Sequence, residues 1–446
     1  MSKTDPKDVI KIDDLGWEGE GVGRLPDGKV IFVEGALPGD KIVPRIGKKS
    51  GKSPSKAEIL KMIQTSPDRI EHPCPHYAEN CPASPLGAYK YEAALDWKRH
   101  HLIETLRRVG GIFDPIVAES IPAGQKWGYR DRIELRMRDY FGKIAPGYMS
   151  KSGFVAIKDC LLPSQPVRNG LISLIQALDA GRIDMSFMSK ISKPEHDPRL
   201  LVRDNGHGGS VAILFVTDAS EITNRLLTSI LRETILTGIE LRITDKMDLR
   251  FFVSEVIDET GVTRVFFQTD SEHELYAGPA VFTQTNTGMS SILRKLVLEN
   301  LPSGGKIIDM FGGYGAYAVD YVVSKGGTAV VMDSSHESVK AGRKFASKYN
   351  LPVEYLDVNL NRANFRLDGK KYDALTVDPP RKGLDGNIAQ KLNDEGPPTI
   401  IYVSCHPAAL ARDLKYFDKY KTENFIPIDL FPQTPELETV CILHRK

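Results

Sequence analysis

Five short apolar segments in the last third of the chain, 306–310, 329–332, 353–356, 374–377 and 399–403, each run into a polar or glycine-rich turn. Apolar segments of that length, separated by helix-length stretches, read as the strands of a doubly wound α/β sheet. In such open sheets the ligand sits outside the carboxyl ends of the strands. The chemistry is therefore expected in the turns: Phe311-Gly312-Gly313-Tyr314-Gly315 after Asp309, then Asp333, then Asp378-Pro379-Pro380, then Ser404-Cys405-His406-Pro407.

A glycine turn after the first strand accommodates either a dinucleotide pyrophosphate or the adenosine and amino acid of S-adenosylmethionine. Spacing separates the two. Asp309 at the strand end would meet a cationic amino group and repel a pyrophosphate. Asp333, 18 residues past Gly315, stands where a carboxylate accepts both hydroxyls of a ribose. Together with the Asp378 turn these favour the methyl donor, and no Walker-type Gly-Lys-Thr is present here. Cys405 directly follows a strand and precedes a helix read over 408–415, whose positive end is expected to lower the thiol pKa. Glu438, 33 residues further on at the start of a last apolar strand, 440–443, is a candidate base, although on spacing alone Glu436 serves as well.

Upstream the pattern changes. Residues 8–64 read as short strands punctuated by glycine, at 9–13, 19–23, 30–33, 40–46 and 57–63, which fits a small β-barrel of a kind that binds RNA. Lys41, Arg45, Lys48, Lys49, Lys52 and Lys56, with no acidic residue among them, make a cationic loop suited to a phosphate backbone. Arg130, Arg132, Arg136 and Arg138 alternate through a strand-like stretch and are expected to form a second basic face, with Asp131 and Glu134 on the opposite phase. After a Pro- and Cys-containing loop, 66–88, the residues Ala93, Ala94, Trp97, Leu102, Leu106 and Val109 recur at helical spacing and Gly110-Gly111 closes the element, a docking helix over 89–109. Residues 115–275 mix strands, such as 132–138 and 250–256, with helices near 167–179 and 220–235, without a parallel-sheet rhythm.

The expected architecture is thus a multidomain α/β protein. It has a β-barrel over 1–64, a cysteine loop, docking helix and α+β middle domain over 65–280, and a Rossmann-like catalytic domain over 281–446. With 446 residues, 41% hydrophobic and 26% charged, the chain has the balance of a folded enzyme. No apolar run reaches the 18 or more residues of a membrane span, and the opening Met1-Ser2-Lys3 stretch has no signal-peptide core, so a cytoplasmic protein without a membrane partner is expected. Five cysteines, an odd and sparse count, argue against a disulfide framework.

These residues resemble a family, the RNA uracil carbon-5 methyltransferases, which use S-adenosylmethionine to modify 23S ribosomal RNA or tRNA. Gly19-Glu20-Gly21-Val22-Gly23-Arg24 with Val33-Glu34-Gly35-Ala36-Leu37-Pro38-Gly39-Asp40 is similar to the family's TRAM barrel. Gly128-Tyr129-Arg130-Asp131-Arg132 resembles its middle-domain entry, and Phe282-Thr283-Gln284-Thr285-Asn286 the segment carrying a cofactor-contacting glutamine. Ser404-Cys405-His406-Pro407 followed by Ala411-Arg412-Asp413-Leu414 is the most specific match, with His406 where the family usually has Asn. The resemblance implies a class I methyltransferase making 5-methyluridine in RNA, 23S rRNA before tRNA, as a monomer. It implies Cys405 as the nucleophile, Glu438 as the base, and Gln284, Phe311, Asp333 and Asp378 as cofactor contacts beside Asp309 and Gly313. A target base must leave its stack to reach a thiol, so a loop or single-stranded site is expected. Asn286 reads instead as a helix N-cap.

Many family members also hold a 4Fe-4S cluster on four cysteines. Cys74, Cys81 and Cys160 match, Ser84 takes the remaining clustered position, and the Cys74 to Cys81 interval is one residue long for the pattern. A three-thiolate cluster, or zinc bound with help from His72 or His76, is the corresponding expectation; Cys441 is expected in the core. Two other readings stand beside the leading one. Asp378-Pro379-Pro380 resembles the turn of exocyclic-amine methyltransferases, against which Arg381 replaces the expected stacking aromatic, and an inactive methyltransferase fold that only binds RNA is the other.

Overall fold

The computed structural model of the protein describes residues 9–46, 55–186, 188, 197–220, 222, 224–244, 254–268, 273–360, 367–368 and 371–446. Lys48, Lys49 and Lys52 of the basic loop and residues 250–253 of one expected strand lie outside them. Strands β1 (Ile10–Leu15), β2 (Gly21–Arg24), β3 (Val30–Val33), β4 (Lys41–Ile46) and β5 (Ser55–Gln64) close into a barrel in the order β1-β2-β3-β5-β4. Alternation along the strands places Ile10, Ile12, Ile31, Val33 and Ile42 in its interior. Asp40, fully buried at the start of β4, accepts the backbone N–H groups of Leu37 and Ser66, each at 2.7 Å, and is paired with Arg69. The acid of the Pro-Gly-Asp stretch is therefore a structural staple.

The turn between β1 and β2 seats the barrel on the rest of the molecule. Gly19 has φ +85, and a Cβ there would lie 3.0 Å from Pro85 Cβ and 3.4 Å from Pro435 Cγ, so conformation and space both demand glycine. Lys151 pairs with Glu18 at 3.1 Å and Glu20 at 2.9 Å from the other side.

Helix α1 (Tyr91–Thr105) continues as one wider turn, Leu106–Gly110, and stops at left-handed Gly111, as the Gly-Gly pair predicts. It bolts the barrel to the C-terminal sheet. Trp97 Nε1 donates to Asp14 Oδ1 at 2.8 Å, and Lys98 Nζ donates to Asp429 Oδ1 at 2.6 Å and to the Phe431 carbonyl at 3.0 Å. Lys98 and Asp429 side chains are each 1% exposed, so neither charge has water to fall back on. Lys98→Ala is expected to cost about 3–5 kcal/mol in a denaturant titration, because it leaves Asp429 buried without its cation. Lys98→Met with Asp429→Leu should restore most of the loss, whereas an unchanged midpoint for the single variant would show that the pair contributes nothing.

The middle of the chain builds a seven-stranded sheet from β6 (Arg132–Tyr140), β7 (Lys143–Ser150), β8 (Gly153–Ala156), β9 (Arg199–Asp204), β10 (Ser210–Val216), β11 (Gly238–Ile243) and β12 (Glu255–Gly261), in the order β12-β11-β10-β9-β6-β7-β8. One pair, β10 with β11, is parallel. Helices α2 (Gln165–Asp179) and α3 (Asn224–Glu233) share its core.

The second basic face is corrected by this sheet. Glu134 is in phase with Arg132, Arg136 and Arg138, not opposite to them, and all four are half-buried. Arg136 and Arg138 both reach Asp197 Oδ2, at 3.1 and 2.7 Å, and Glu134 pairs with Arg199 at 2.7 Å. Arg132 pairs with Asp131 at 3.0 Å and donates to the Thr283 carbonyl at 2.5 Å. These charges are spent inside the fold and do not line a positive groove.

After a hairpin of β13 (Val265–Gln268) and β14 (Glu274–Ala277), α4 (Thr287–Glu299) begins at Asn286, whose side chain accepts the Met289 N–H at 3.1 Å. The expected N-cap is present. The last sheet runs β17-β16-β15-β18-β19-β21-β20, from β15 (Lys306–Met310), β16 (Thr328–Asp333), β17 (Val353–Asp357), β18 (Ala374–Val377), β19 (Thr399–Ser404), β20 (Tyr420–Ile428) and β21 (Glu438–Arg445). Strands β15 to β19 are parallel, and β21 inserts antiparallel between β19 and β20. The order reverses beside β15, the crevice where such sheets bind ligands. Strand β20, with Lys421, Thr422, Glu423 and Asn424 in its first half, carries no apolar alternation that the sequence reading could detect. Cys441 lies in the core, fully buried. Among the described residues no helix is long and apolar enough to cross a membrane.

Candidate active site

At the end of β15 the chain climbs through left-handed Phe311 (φ 59), Gly313 (φ 59) and Gly315 (φ 87) into helix α5 (Ala316–Lys325). A side chain at Gly315 would meet the Tyr355 hydroxyl at 2.7 Å, so this glycine is required both for its backbone and for its space. Phe311, a bulky residue in that conformation, is held by packing on the core of the sheet. Asp309, fully buried below the turn, accepts the Thr376 hydroxyl at 2.6 Å on one oxygen, while Oδ2 is buried without a partner. A Cβ at Gly312 would lie 2.6 Å from that oxygen. Burial, augmented by the Asp378 charge and opposed by the Thr376 hydrogen bond, pushes the Asp309 carboxyl up to about 7. Asp333 holds the turn from the next strand, accepting Gly313 N–H at 2.9 Å and Ser335 N–H at 2.7 Å.

Gln284 is positioned by Arg203 and by Arg132, one of the arginines expected on the basic face. Arg203, buried, donates to the carbonyls of Pro279 at 2.9 Å and Val281 at 2.5 Å and to Thr283 Oγ1 at 2.5 Å, and Arg132 grips Thr283 as well. This clamp delivers Gln284 Nε2 to Asp378 Oδ2 at 3.4 Å, where the Tyr317 hydroxyl also donates at 3.3 Å. Burial lifts Asp378 to about 7 even against these two donors. The sequence reading missed Tyr317; its position in the first turn of the helix after the glycine run, facing the Asp-Pro-Pro turn, is the signal that pointed to it.

Glu438 opens β21, and the register Ser404 with Thr439 brings it to the same strand end as Cys405. It is 1% exposed, its Oε1 has no partner, and burial plus the Asp378 charge raise its pKa well above the carboxylate range. Glu436 differs: Arg381 binds it at 3.1 Å, and although burial opposes ionisation, Thr434 and Arg381 hold its pKa below the usual value. Of the two glutamates that spacing left open, the one beside the thiol and short of a partner is Glu438.

The expected lowering of the Cys405 pKa is overturned. Burial first, then the Glu438 and Asp378 charges, push the thiol up to about 12, with Arg381 the opposing cation. The helix start at Cys405 contributes less than the desolvation and the two carboxylates it faces. A raised thiol pKa favours the neutral form, so at neutral pH the thiolate is scarce and its fraction climbs about tenfold per pH unit. Alkylation of Cys405 by iodoacetamide, followed by peptide mass spectrometry, should accelerate about tenfold per unit between pH 7 and 9 and faster still in Glu438→Gln; a plateau near neutrality would contradict this.

The sequence profile described as tRNA (Uracil-5-)-methyltransferase matches residues 355–446, and the TRAM domain profile matches residues 9–51. A protein of Gloeobacter violaceus described as an uncharacterized RNA methyltransferase is 29% identical over 98% of this chain and 96% of its own. The tRNA (uracil(54)-C(5))-methyltransferase of Pyrococcus furiosus is 26% identical over 93% of this chain and 95% of its own. The crystal structure of the Pyrococcus abyssi tRNA (uracil-54, C5)-methyltransferase with S-adenosyl-L-homocysteine shares the fold, with a TM-score of 0.77 at 24% identity over 98% of this chain and all of that one.

The chain is similar to RNA uracil-5 methyltransferases along nearly its whole length. Its barrel is the TRAM domain, and its last sheet is the methyltransferase fold. The departure from the family pattern at His406 has a structural explanation. Nδ1 of His406 accepts the Ala409 N–H at 3.2 Å and caps the helix Pro407–Asp413, the task an asparagine side chain would perform.

The strand ends fit S-adenosylmethionine. Asp309 presents an orphaned acceptor at the glycine turn, and each Asp333 oxygen keeps a lone pair beyond its backbone bond. The cysteine loop, in contrast, does not fit the iron–sulfur cluster of other members. Cys74, Cys81 and Cys160 are free thiols, but among the described residues no three His, Cys, Asp or Glu side chains are placed to hold a metal ion. Ser84 and His72 occupy each other: His72 Nε2 lies 3.1 Å from the Ser84 carbonyl and 3.3 Å from its hydroxyl, and Nδ1 accepts the Cys74 N–H at 3.0 Å. His76 is equally committed, to Glu79 and to the Lys158 N–H, each at 3.2 Å. Burial raises the Cys81 and Cys160 thiols to about 11. The described loop is hydrogen-bonded within itself and stacked through His72 on Tyr77 at 4.1 Å, with the Cys74, Cys81 and Cys160 thiols near enough to raise one another's pKa.

Proposed function

We propose that this protein, acting as a monomer, transfers a methyl group to carbon 5 of uridine in RNA, with 23S rRNA as the expected substrate and tRNA as the alternative suggested by its Pyrococcus relatives. The observation that carries this is the grouping of the Cys405 thiol with buried Glu438 and Asp378 at one strand end, beside the Asp309–Gly315 turn. Carbon 5 of uracil is a weak nucleophile. Addition of the Cys405 thiolate to carbon 6 forms an S–C6 bond and moves the C5–C6 electron pair toward an enolate, which makes carbon 5 nucleophilic. S-Adenosylmethionine, when bound, supplies the electrophilic methyl group. Asp309 and Gly313 at the glycine turn, Asp333, Phe311, and the Gln284–Asp378 pair would hold it. Glu438 then removes the carbon-5 proton, the C5–C6 double bond re-forms, and the S–C6 bond breaks to return the thiolate. An exocyclic-amine methyltransferase needs no thiol beside its carboxylates, and an inactive RNA binder needs neither.

Nucleoside mass spectrometry tests this directly. Unmodified ribosomal RNA and tRNA incubated with S-adenosylmethionine should yield 5-methyluridine with the wild type and not with Cys405→Ala. Methylated adenosine or guanosine would replace the reading with the amine chemistry, and a lack of product on either RNA class would count for the binding-only protein.

A further inference from the structure

Three aromatic rings outside the reaction centre form a continuous stack that ends at the catalytic loop. Trp97, buried in α1 and anchored on Asp14, stacks with His101 at 5.1 Å and 30°, and His101 stacks with Trp17 at 5.4 Å and 28°. Trp17, in the β1–β2 turn, then meets the edge of His406 at 4.9 Å and 70°, and His406 is the residue after Cys405. The stack begins in the core and ends half-exposed, since Trp17, His101 and His406 all retain solvent contact. The seating of the turn does not require an indole there, because Gly19 against Pro85 and Pro435 and the Lys151 ion pairs already fix it.

The charges around the stack are mixed, with arginines on the open side and Asp14 beneath Trp97 and His101. Arg381 and Arg412 lie near His406 and Arg108 near His101, all three exposed and each paired with a carboxylate, of Glu436, Asp413 and Glu104 respectively. A partly exposed tryptophan that ends a ring stack and touches the residue after Cys405 offers a flat apolar face that matches an unpaired nucleobase. His406 is held as a neutral ring, because an Nδ1 that accepts the Ala409 N–H carries its proton on Nε2, which leaves a donor on the edge away from the cap.

We propose that Trp17, backed by His101 and flanked by His406, is a stacking platform for an unpaired RNA base next to the target uridine. The platform lets the barrel hold the strand while its neighbour reaches Cys405. The proposal rests on the RNA methylation reading and names the part of the substrate that this surface takes.

The test uses the full-length protein and a single-stranded 12-nucleotide oligouridylate. By fluorescence anisotropy, Trp17→Ala should weaken binding about tenfold, in the range that loss of one base–aromatic stack produces, while Trp17→Phe stays within about threefold of wild type. His406→Asn, which keeps the cap and loses the ring, should give a smaller loss. Intrinsic tryptophan emission should be quenched by the oligonucleotide in wild type and not in Trp17→Phe although that variant still binds, a result that a purely structural role for Trp17 would not produce. Matched melting temperatures would confirm that the variants fold. Binding of Trp17→Ala within twofold of wild type, quenching that persists in Trp17→Phe, or absence of wild-type binding would overturn the platform. The function reading is judged separately: Trp17-dependent quenching with no 5-methyluridine from any RNA sinks the reaction and leaves the platform standing, whereas 5-methyluridine formed by Trp17→Ala at unchanged KM does the reverse.

Discussion

Replacement of Cys405 by alanine is expected to reduce methyl transfer by a factor on the order of 10⁴ or more while leaving the fold and cofactor binding intact. The side chain is half-buried at the end of β19, and the backbone around it is held by other groups: Ser404 Oγ accepts the His406 N–H at 3.2 Å, and His406 caps the following helix. Loss of the sulfur therefore removes the S–C6 bond without loosening the loop. Alanine also removes the thiol from beside Glu438 and Asp378, neither of which hydrogen-bonds it, so stability should change little. Single-turnover incorporation of labelled methyl into RNA, measured alongside a thermal melt with and without S-adenosylmethionine, separates the two effects. Substantial turnover by the alanine variant would eliminate covalent catalysis by this thiol.

Glu438→Gln should lower turnover by about 10²–10⁴-fold and, unlike Cys405→Ala, trap the reaction part-way. A glutamine cannot take the carbon-5 proton, so the methylated base keeps both its new substituent and its bond to Cys405. The expected product is a protein–RNA conjugate that survives denaturing electrophoresis and contains one added methyl group. Because ionised Glu438 is one of the groups that raise the Cys405 pKa, the isosteric amide should also lower it, so conjugate formation should rise less steeply with pH than wild-type turnover. If Glu438→Gln turns over normally while Glu436→Gln does not, the roles of the two glutamates are exchanged.

The barrel, the docking helix and the doubly wound sheet were legible because each is written in local periodicity: glycine-punctuated short strands, apolar residues at helical spacing, and apolar runs ending at turns. Strand β20 was not, because the polar first half of the element shows no apolar alternation, and the strand exists through its pairing with β21. The basic face on β6 failed for a related reason. A count of arginines is local, but Asp197, Arg199 and Thr283, which absorb the charges of that face, come from 59 to 151 residues away along the chain.

The residues of the site were visible as types at strand ends, since a Cys, three Asp and a Glu beside glycine turns are a chemical signature independent of context. Their protonation was not visible. The helix start beside Cys405 is a local feature and argued for a low thiol pKa, whereas the desolvation and the opposing carboxylates of Asp378 and Glu438 come from β18 and β21, brought alongside only by the sheet. The cysteine loop followed the same rule: the matched thiols were legible, while the mutual engagement of His72 and Ser84 depends on a close approach across the loop. The sequence by itself determined which chemistry-bearing residues the chain carries and the order of its elements, because periodicity and turn residues act over a few positions. Tertiary structure alone decided which charges meet, which acids hold protons and which rings stack beside the Cys405 loop, because burial and Coulomb interactions depend on distance in space.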